Sequence, residues 1–298
     1  MNIEWLKIKL ALAMLLTLSL AVLPGCSMLR IGYGQLDTFA LWTVDDYFDL
    51  DPVQKHDFQK RFDRLHEWHR HEQLPDYAAF FMSARARVQK GLARDDIAWF
   101  SEGLRERYRT IIRRGADDAA ALLLTVTPAQ LDALKRQFEK NNRRFVREFH
   151  LEEGADQQRR AAAKRVLARI RDWTGSLSDD QEQKIAALAA ELPMNHRLRL
   201  EDRMRRQRGF LQLMAQRGDS ARFPAMLRHW LLNWDEGRAP EYERVWARWM
   251  EEQADFYVAV DRMLTPHQRE HITHRLQKYA NDFTYLAQRP ATQAAADR

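Results

Sequence analysis

Three histidines near the carboxyl end of the chain have the spacing of metal ligands. His267, His271 and His274 stand at i, i+4 and i+7, so on a helix they share one side. Imidazoles one turn apart suit a divalent transition metal, and Glu270 would add a carboxylate oxygen. The same spacing also fits a polar helix face that happens to contain histidine. A metal site and an exposed polar face are the two interpretations.

A second group of histidines occurs in the segment His66–His71. His69 continues an apolar stripe that includes Leu65, which predicts a core histidine with a hydrogen-bond partner. His66 and His71 lie off that stripe. Packing is therefore favoured over a joint metal site.

Four tryptophans could form a binding surface for apolar ligands: Trp230, Trp234, Trp246 and Trp249. Their spacing fits core packing, and it also fits a partly open surface that holds unfolded chains or lipids. The Arg-rich segment His196–Arg208 is near them in sequence. An apolar cradle rimmed by arginine would suit clients that combine apolar and charged stretches.

Sequence signatures of enzymes are missing from the chain. It has no G-x-S-x-G, H-E-x-x-H, Walker or G-x-G-x-x-G motif. Adjacent acidic residues such as Asp45 and Asp46 point different ways on a helix. We therefore expect no catalytic activity and no cofactor.

Helices must position all of these side chains. Apolar residues recur in steps of three and four, and no run alternates as a strand would. The pattern predicts an all-α fold, an elongated or cradle-like bundle of helical hairpins. Besides the helices that follow the repeated turns described next, the predicted helices are 75–92, 95–124, 156–173, 195–216, 223–234 and 240–263.

One type of helix start occurs four times, at Leu50–Gln54, Val126–Gln130, Leu177–Gln181 and Leu264–Gln268. The second residue of each is a good N-cap, and the glutamine at the third helical position can complete a capping box. Three of the four also place proline at the first helical position. Capping does not explain the preceding apolar residue, which we expect to pack on a neighbouring helix. The repetition indicates a loose duplication, with halves at 36–175 and 176–289.

The amino terminus has the features of a bacterial lipoprotein signal. Lys7 and Lys9 precede an apolar run, and Leu23–Cys26 reads Leu-Pro-Gly-Cys. This predicts a signal peptide over residues 1–25, lipidation of Cys26 and a tether over 26–35. Ser27 favours the outer membrane, facing the periplasm. Residues 290–298 are predicted to be a disordered tail.

The charge of the chain points to anionic partners. The formal net charge is +6, and 38 of the 48 basic residues are arginine. Lipid headgroups and acidic segments of client proteins fit this charge, although codon bias would also produce it. Nucleic acid is not an expected partner, because no nucleic-acid-binding motif occurs.

Two family resemblances follow from these motifs. Leu264–Gln268, Leu-Thr-Pro-His-Gln, resembles the turns of the small periplasmic Spy and CpxP proteins, which are helical chaperones and stress sensors. The lipid signal, Trp42–Phe62 and the same C-terminal turn together resemble uncharacterised proteobacterial helical lipoproteins. The second resemblance implies a location and a fold but no established activity.

The combined expectation is a lipid-anchored envelope protein without catalytic activity. Its leading predicted role is chaperone-like binding of unfolded or envelope protein clients, or envelope maintenance. The alternative is an adaptor that docks one envelope partner, and a histidine-based metal sensor comes third.

Overall fold

The computed structural model describes residues 28–289, and every regular element in that part of the chain is helical. The predicted all-α class is confirmed. No helix of this part is both long and apolar enough to cross a bilayer. The chain divides into two compact units, Met1–Leu36 and Asp37–Arg298.

The helices are numbered in chain order, and a π-helical turn at His69–Gln73 joins the third to the fourth. Each predicted helix is present, with ends that move by no more than two residues. The helices are α1 (Met28–Gly34), α2 (Leu36–Phe48), α3 (Pro52–Trp68), α4 (Leu74–Lys90), α5 (Arg94–Leu123), α6 (Pro128–Glu148), α7 (Ala155–Thr174), α8 (Asp179–Glu191), α9 (His196–Ala215), α10 (Phe223–Leu232), α11 (Pro240–Met263) and α12 (Pro266–Gln288).

Three predicted features lie outside the described residues: the signal peptide 1–25, the lipidated Cys26 and the tail 290–298. The predicted tether 26–35 is described from Met28 onward. There it contains α1.

The four repeated turns all form the expected capping boxes. Asp51, Thr127, Ser178 and Thr265 each accept a hydrogen bond from the backbone N–H three residues later. In return, each N-cap N–H donates to the glutamine Oε1 at that third position. Local capping chemistry therefore defines where α3, α6, α8 and α12 begin.

The same four glutamines also hold the turns together in pairs. Gln54 and Gln130 exchange two amide hydrogen bonds, of 3.1 and 2.5 Å. Gln181 and Gln268 do the same at 2.9 and 2.8 Å. Both pairs are buried, so each pair fixes the start of one helix against the start of another.

The pairing geometry repeats in detail. Each amide nitrogen also donates to the carbonyl of the residue five positions before its partner glutamine. These carbonyls belong to Thr125 and Asp49 in the first pair and to Met263 and Ser176 in the second. The pairs lie one in each predicted half, which agrees with an internal duplication.

The apolar residues that precede the caps pack as expected against neighbouring helices. Leu50 and Val126 are buried, and Val126 belongs to a core cluster between α5, α9 and α10. Leu177 and Leu264 pack against a second cluster between α7, α8 and α11.

Helices from the two predicted halves pack directly against each other. The most extensive helix pair is α4 with α12, and its interface is aromatic. Phe81 of α4 contacts Tyr279 and Phe283 of α12, with ring centroids 5.7 and 5.3 Å apart. The boundary at 175/176 therefore concerns only the predicted duplication of the sequence. In the structure, residues 37–289 belong to one compact unit.

Candidate functional site

A cavity of about 1000 Å³ lies among the helices α5 to α11. Residues of both core clusters contribute to its walls, Trp230 from the first and Ile170 and Phe256 from the second. This volume lies at the upper end of the usual range for ligand pockets. The cavity is therefore the principal candidate site in the described part of the chain.

All four tryptophans that the sequence singled out line this cavity. Each is half-buried, so each packs on the core and still presents part of its ring to the cavity. Trp246 and Trp249 stack with centroids 5.0 Å apart. The two interpretations of the aromatic stripe both apply, because Tyr242 and Phe256 on the same helix are buried core residues.

Arginine dominates the charged part of the lining. Eight arginines line the cavity, but Glu148 and Asp202 are the only acidic residues among its lining side chains. Such an excess of positive charge around a concave surface attracts anions. The arginines are Arg105, Arg159, Arg165, Arg169, Arg199, Arg203, Arg206 and Arg238.

One end of the cavity has its positive charge partly neutralised. The buried Asp202 carboxylate lies 2.8 Å from Arg205, 3.3 Å from Arg206 and 3.8 Å from Arg238. The Arg238 guanidinium also lies 4.6 Å from the Trp234 ring centroid. These contacts hold Arg238 in a fixed position by charge and by cation–π attraction.

On the side of Phe145 and Phe149, the arginines form no salt bridge with the one carboxylate nearby, that of Glu148; Arg165 donates instead to the Glu148 backbone carbonyl at 3.3 Å. Arg165 and Arg199 lie over the Phe149 ring, at 5.0 and 5.4 Å from its centroid, and Arg203 lies 5.8 Å from that of Phe145. None of the three arginines forms a salt bridge within residues 28–289. This cluster, Arg165, Arg199 and Arg203, is called the unpaired arginine cluster below.

Buried donors without hydrogen-bond partners accompany the unpaired cluster. Arg165 Nη2 and the amide nitrogen of Asn195 are both buried and have no partner in the described chain. Burial lowers the pKa of Arg165, and the nearby Glu148 carboxylate offsets part of that effect. A buried donor without an acceptor is costly, so this end would gain from a bound anion.

His196 lies beside the unpaired arginine cluster. Its ring stacks on Phe149, with centroids 4.4 Å apart. Burial, followed by the charges of Arg199 and Arg165, lowers the pKa of His196 to about 4. The imidazole is therefore neutral at pH 7 and adds no further positive charge.

A second cavity of about 420 Å³ adjoins the first. The two share Leu104, Arg169, Ile170, Gln253 and Tyr257 as lining residues. The smaller cavity is mainly apolar. Its other lining residues include Ala84, Val88, Leu92, Trp99, Phe100, Trp173, Leu264, Ile272 and Leu276.

The histidine stripe is exposed, as predicted, but the structure does not assemble it into a metal site. No group of three His, Cys, Asp or Glu side chains in residues 28–289 could hold a metal ion. His271 Nδ1 lies 3.0 Å from the Trp173 carbonyl oxygen. His267 and His274 are exposed on the same helix.

Two histidines of His66–His71 contact side chains of the protein, one in the core and one at the surface. His69 Nε2 lies 3.3 Å from the Tyr77 hydroxyl, which is the partner that a core histidine needs. Burial lowers the pKa of His69 to about 4. His71 is exposed and pairs with Glu67 at 2.9 Å.

The sequence singled out the tryptophans and two of the three arginines of the unpaired arginine cluster. Arg199 and Arg203 belong to the segment noted for its arginines, whereas Arg165 comes from α7 and had no distinguishing signal. Their aromatic partners Phe145 and Phe149 lie at the end of α6. Only the packing of α6, α7 and α9 brings these groups together.

The fold and the cavity define an all-α protein with an internal site lined by tryptophan and arginine. The chain belongs to a family of unknown function, DUF6279, whose model matches residues 46–243. The matched segment contains the unpaired arginine cluster, Trp230 and Trp234. Neither the curated proteins nor the solved structures gave a match.

Proposed function

We propose that the protein is a non-catalytic binding protein of the cell envelope that holds amphipathic clients in the large cavity. The main support for this proposal is that the four tryptophans and eight arginines line one cavity of about 1000 Å³. Apolar parts of a client would bury surface against the tryptophans. Negatively charged parts would pair with the arginines.

The proposed location rests on the amino-terminal sequence. Residues 1–25 act as a signal peptide in this proposal, and Cys26 carries the lipid that holds the protein at the outer membrane, facing the periplasm. The resemblance of Leu264–Gln268 to turns of Spy and CpxP supports a chaperone-like role there. The resemblance to proteobacterial helical lipoproteins supports the same location.

The arrangement of polar groups fits binding without chemistry. The Asp202 carboxylate is engaged by three arginines, and the His196 ring is stacked and neutral. These groups are already committed to structural contacts. The proposed role therefore requires no catalytic residue and no cofactor.

An aggregation assay tests the proposal. The chain from Ser27 onward, which retains the compact unit Asp37–Arg298, is mixed with a chemically denatured client while light scattering is recorded. We expect the wild-type chain to delay aggregation and Trp246→Ser/Trp249→Ser to lose most of the effect. Trp42→Ser is the matched control, because Trp42 is 63% exposed and lies outside the cavity.

Two results would count against this function. Wild-type protein that leaves aggregation unchanged would remove the chaperone-like role. Equal losses in the cavity variant and in Trp42→Ser would separate the activity from the cavity. Crosslinking in intact cells distinguishes the adaptor alternative, which predicts one recurring partner instead of many clients.

A further inference from the structure

We propose that the two adjoining cavities together bind one long-chain amphiphile with a single anionic headgroup, such as a carboxylate or a phosphate. The headgroup would lie at the unpaired arginine cluster, and the alkyl chain would extend past the shared wall into the smaller cavity. This inference rests on the proposed function, since it takes the large cavity to be the binding site.

The assignment of the headgroup position rests on a contrast within the large cavity. At one end, Asp202 already neutralises part of the positive charge. Beside Phe145 and Phe149, by contrast, Arg165, Arg199 and Arg203 form no salt bridge in the described chain, and Glu148 is the one carboxylate that lines the cavity near them. Guanidinium groups bind carboxylates and phosphates in a two-point geometry, so an anion is the complementary ligand there.

Buried hydrogen-bond donors give a second reason to expect a ligand that accepts hydrogen bonds, and they include donors beside Asp202, Arg206 Nε and Arg238 Nε. Arg165 Nη2 and the Asn195 amide nitrogen are buried without acceptors, and both residues line the cavity. A ligand oxygen would supply the missing acceptor and remove the cost of an unsatisfied donor. An anionic headgroup has several such oxygens.

The smaller cavity has the opposite character. Its charged lining residues are largely paired within the protein: Arg87 with Asp96 at 2.5 Å, and Asp261 with Arg269 at 2.7 Å. The remaining wall is aliphatic and aromatic. The smaller cavity can therefore bury apolar surface of a ligand, and it leaves few unpaired charges for a polar one.

The nature of that wall favours an alkyl chain over a polypeptide segment. A peptide would bring backbone N–H and C=O groups that must be paired when they are buried. The apolar wall offers few partners for them, and leaving them unpaired is costly. An alkyl chain carries no such groups, so it can fill the smaller cavity without this penalty.

The test measures binding of matched amphiphiles below their micelle concentrations. The chain from Ser27 onward is titrated with dodecanoate, dodecyl phosphate and uncharged dodecanol, with tryptophan fluorescence and calorimetry as readouts. We expect both anions to bind at least tenfold more tightly than dodecanol. The ratio of the two affinities shows whether the site prefers a carboxylate or a phosphate headgroup. A series of shorter acids should lose about three- to fourfold in affinity per methylene removed.

Variants locate the headgroup. Arg165→Gln/Arg199→Gln should weaken dodecanoate binding at least tenfold while leaving dodecanol binding unchanged. The control Arg143→Gln alters an exposed arginine of α6 and should change neither. Arg203→Gln provides a second variant if the double variant loses its helical circular dichroism.

The outcomes separate this inference from the proposed function. Equal binding of dodecanoate and dodecanol by the wild-type chain overturns the anionic headgroup. Absence of binding to every amphiphile, with aggregation still delayed through the tryptophans, overturns the lipid-like ligand and leaves the proposed function standing. Preferential binding of an acidic peptide would likewise overturn the alkyl-chain assignment. Affinity that is independent of chain length would remove the role of the smaller cavity.

Discussion

Removal of one glutamine from a buried pair should destabilise the protein far more than loss of a helix cap. Gln130 accepts from the Thr127 N–H at 2.9 Å and donates to the Asp49 carbonyl at 3.0 Å. It also exchanges two amide hydrogen bonds with Gln54. Gln130→Ala therefore breaks contacts to three other residues at a buried position.

The size of the effect follows from these contacts. Losing the capping interaction costs about 1 kcal/mol. Leaving a buried donor or acceptor without a partner costs about 1–3 kcal/mol more. We expect Gln130→Ala to lower the free energy of unfolding by about 2–4 kcal/mol, measured by urea denaturation with far-ultraviolet circular dichroism.

Double variants test whether the pairing itself carries this energy. In Gln54→Ala/Gln130→Ala, both partners of the shared hydrogen bonds are gone. The combined loss should therefore fall short of the sum of the single losses by about 1 kcal/mol. Gln130→Ala/Gln181→Ala joins residues of different pairs, which share no partner, and its losses should add within about 0.5 kcal/mol.

The matched control is Gln59→Ala, which removes an exposed glutamine of α3 and should change stability by less than about 0.5 kcal/mol. The reasoning is refuted if Gln130→Ala costs no more than this control. It is also refuted if the losses within a pair add fully, because the amide exchange would then contribute nothing.

Three further predictions follow from single contacts. Gly103→Ala should destabilise the protein by about 1 kcal/mol in urea denaturation, because a Cβ would clash with the buried Phe80 ring and outweigh the gain in helix propensity. Arg269→Met should cost about 3 kcal/mol in the same assay, since it leaves the buried Asp261 carboxylate without its cation. Lowering the pH from 7 to 5 should reduce stability, and His196→Gln should weaken this dependence. The folded-state pKa of His196, about 4, lies below its usual 6.5, so only the unfolded chain gains the proton in that interval.

The glycine and histidine predictions each have a control at another helical position. Gly115→Ala meets only the Leu65 side chain at 3.3 Å, so it should be close to neutral. His56→Gln alters an exposed histidine and should leave the pH dependence unchanged. Stability that is constant between pH 7 and 5 would show that His196 titrates normally. An Arg269→Met variant as stable as wild type would mean that Asp261 needs no partner.

The sequence by itself determined the helices. Apolar periodicity and capping motifs act within a few residues, so they can be read along the chain. Pro240–Met263 begins and ends where the sequence placed it. At Gln73–Tyr77 the chain continues without a break from a π-helical turn into α4. Pro75 is accommodated in the first turn of that helix, where its missing N–H costs nothing.

Part of the candidate site could also be predicted from the sequence. The tryptophans of α10 and α11 and the arginines of His196–Arg208 are enriched enough in short segments to be noticed. Arg165 was not, since its significance depends on lying over Phe149 from another helix. The lack of a salt bridge to Arg165 is likewise a property of the packed molecule, because only packing determines which charges remain unpaired.

The repeated glutamines show most clearly what the sequence could and could not decide. Capping accounts for each one locally, through contacts three residues away. Their second role joins residues 76 and 87 positions apart, and each amide has enough donors and acceptors to serve both roles at once. The sequence determined that four helices begin with the same chemistry. Only the tertiary structure decided which of these beginnings pair, because that depends on how the helices pack.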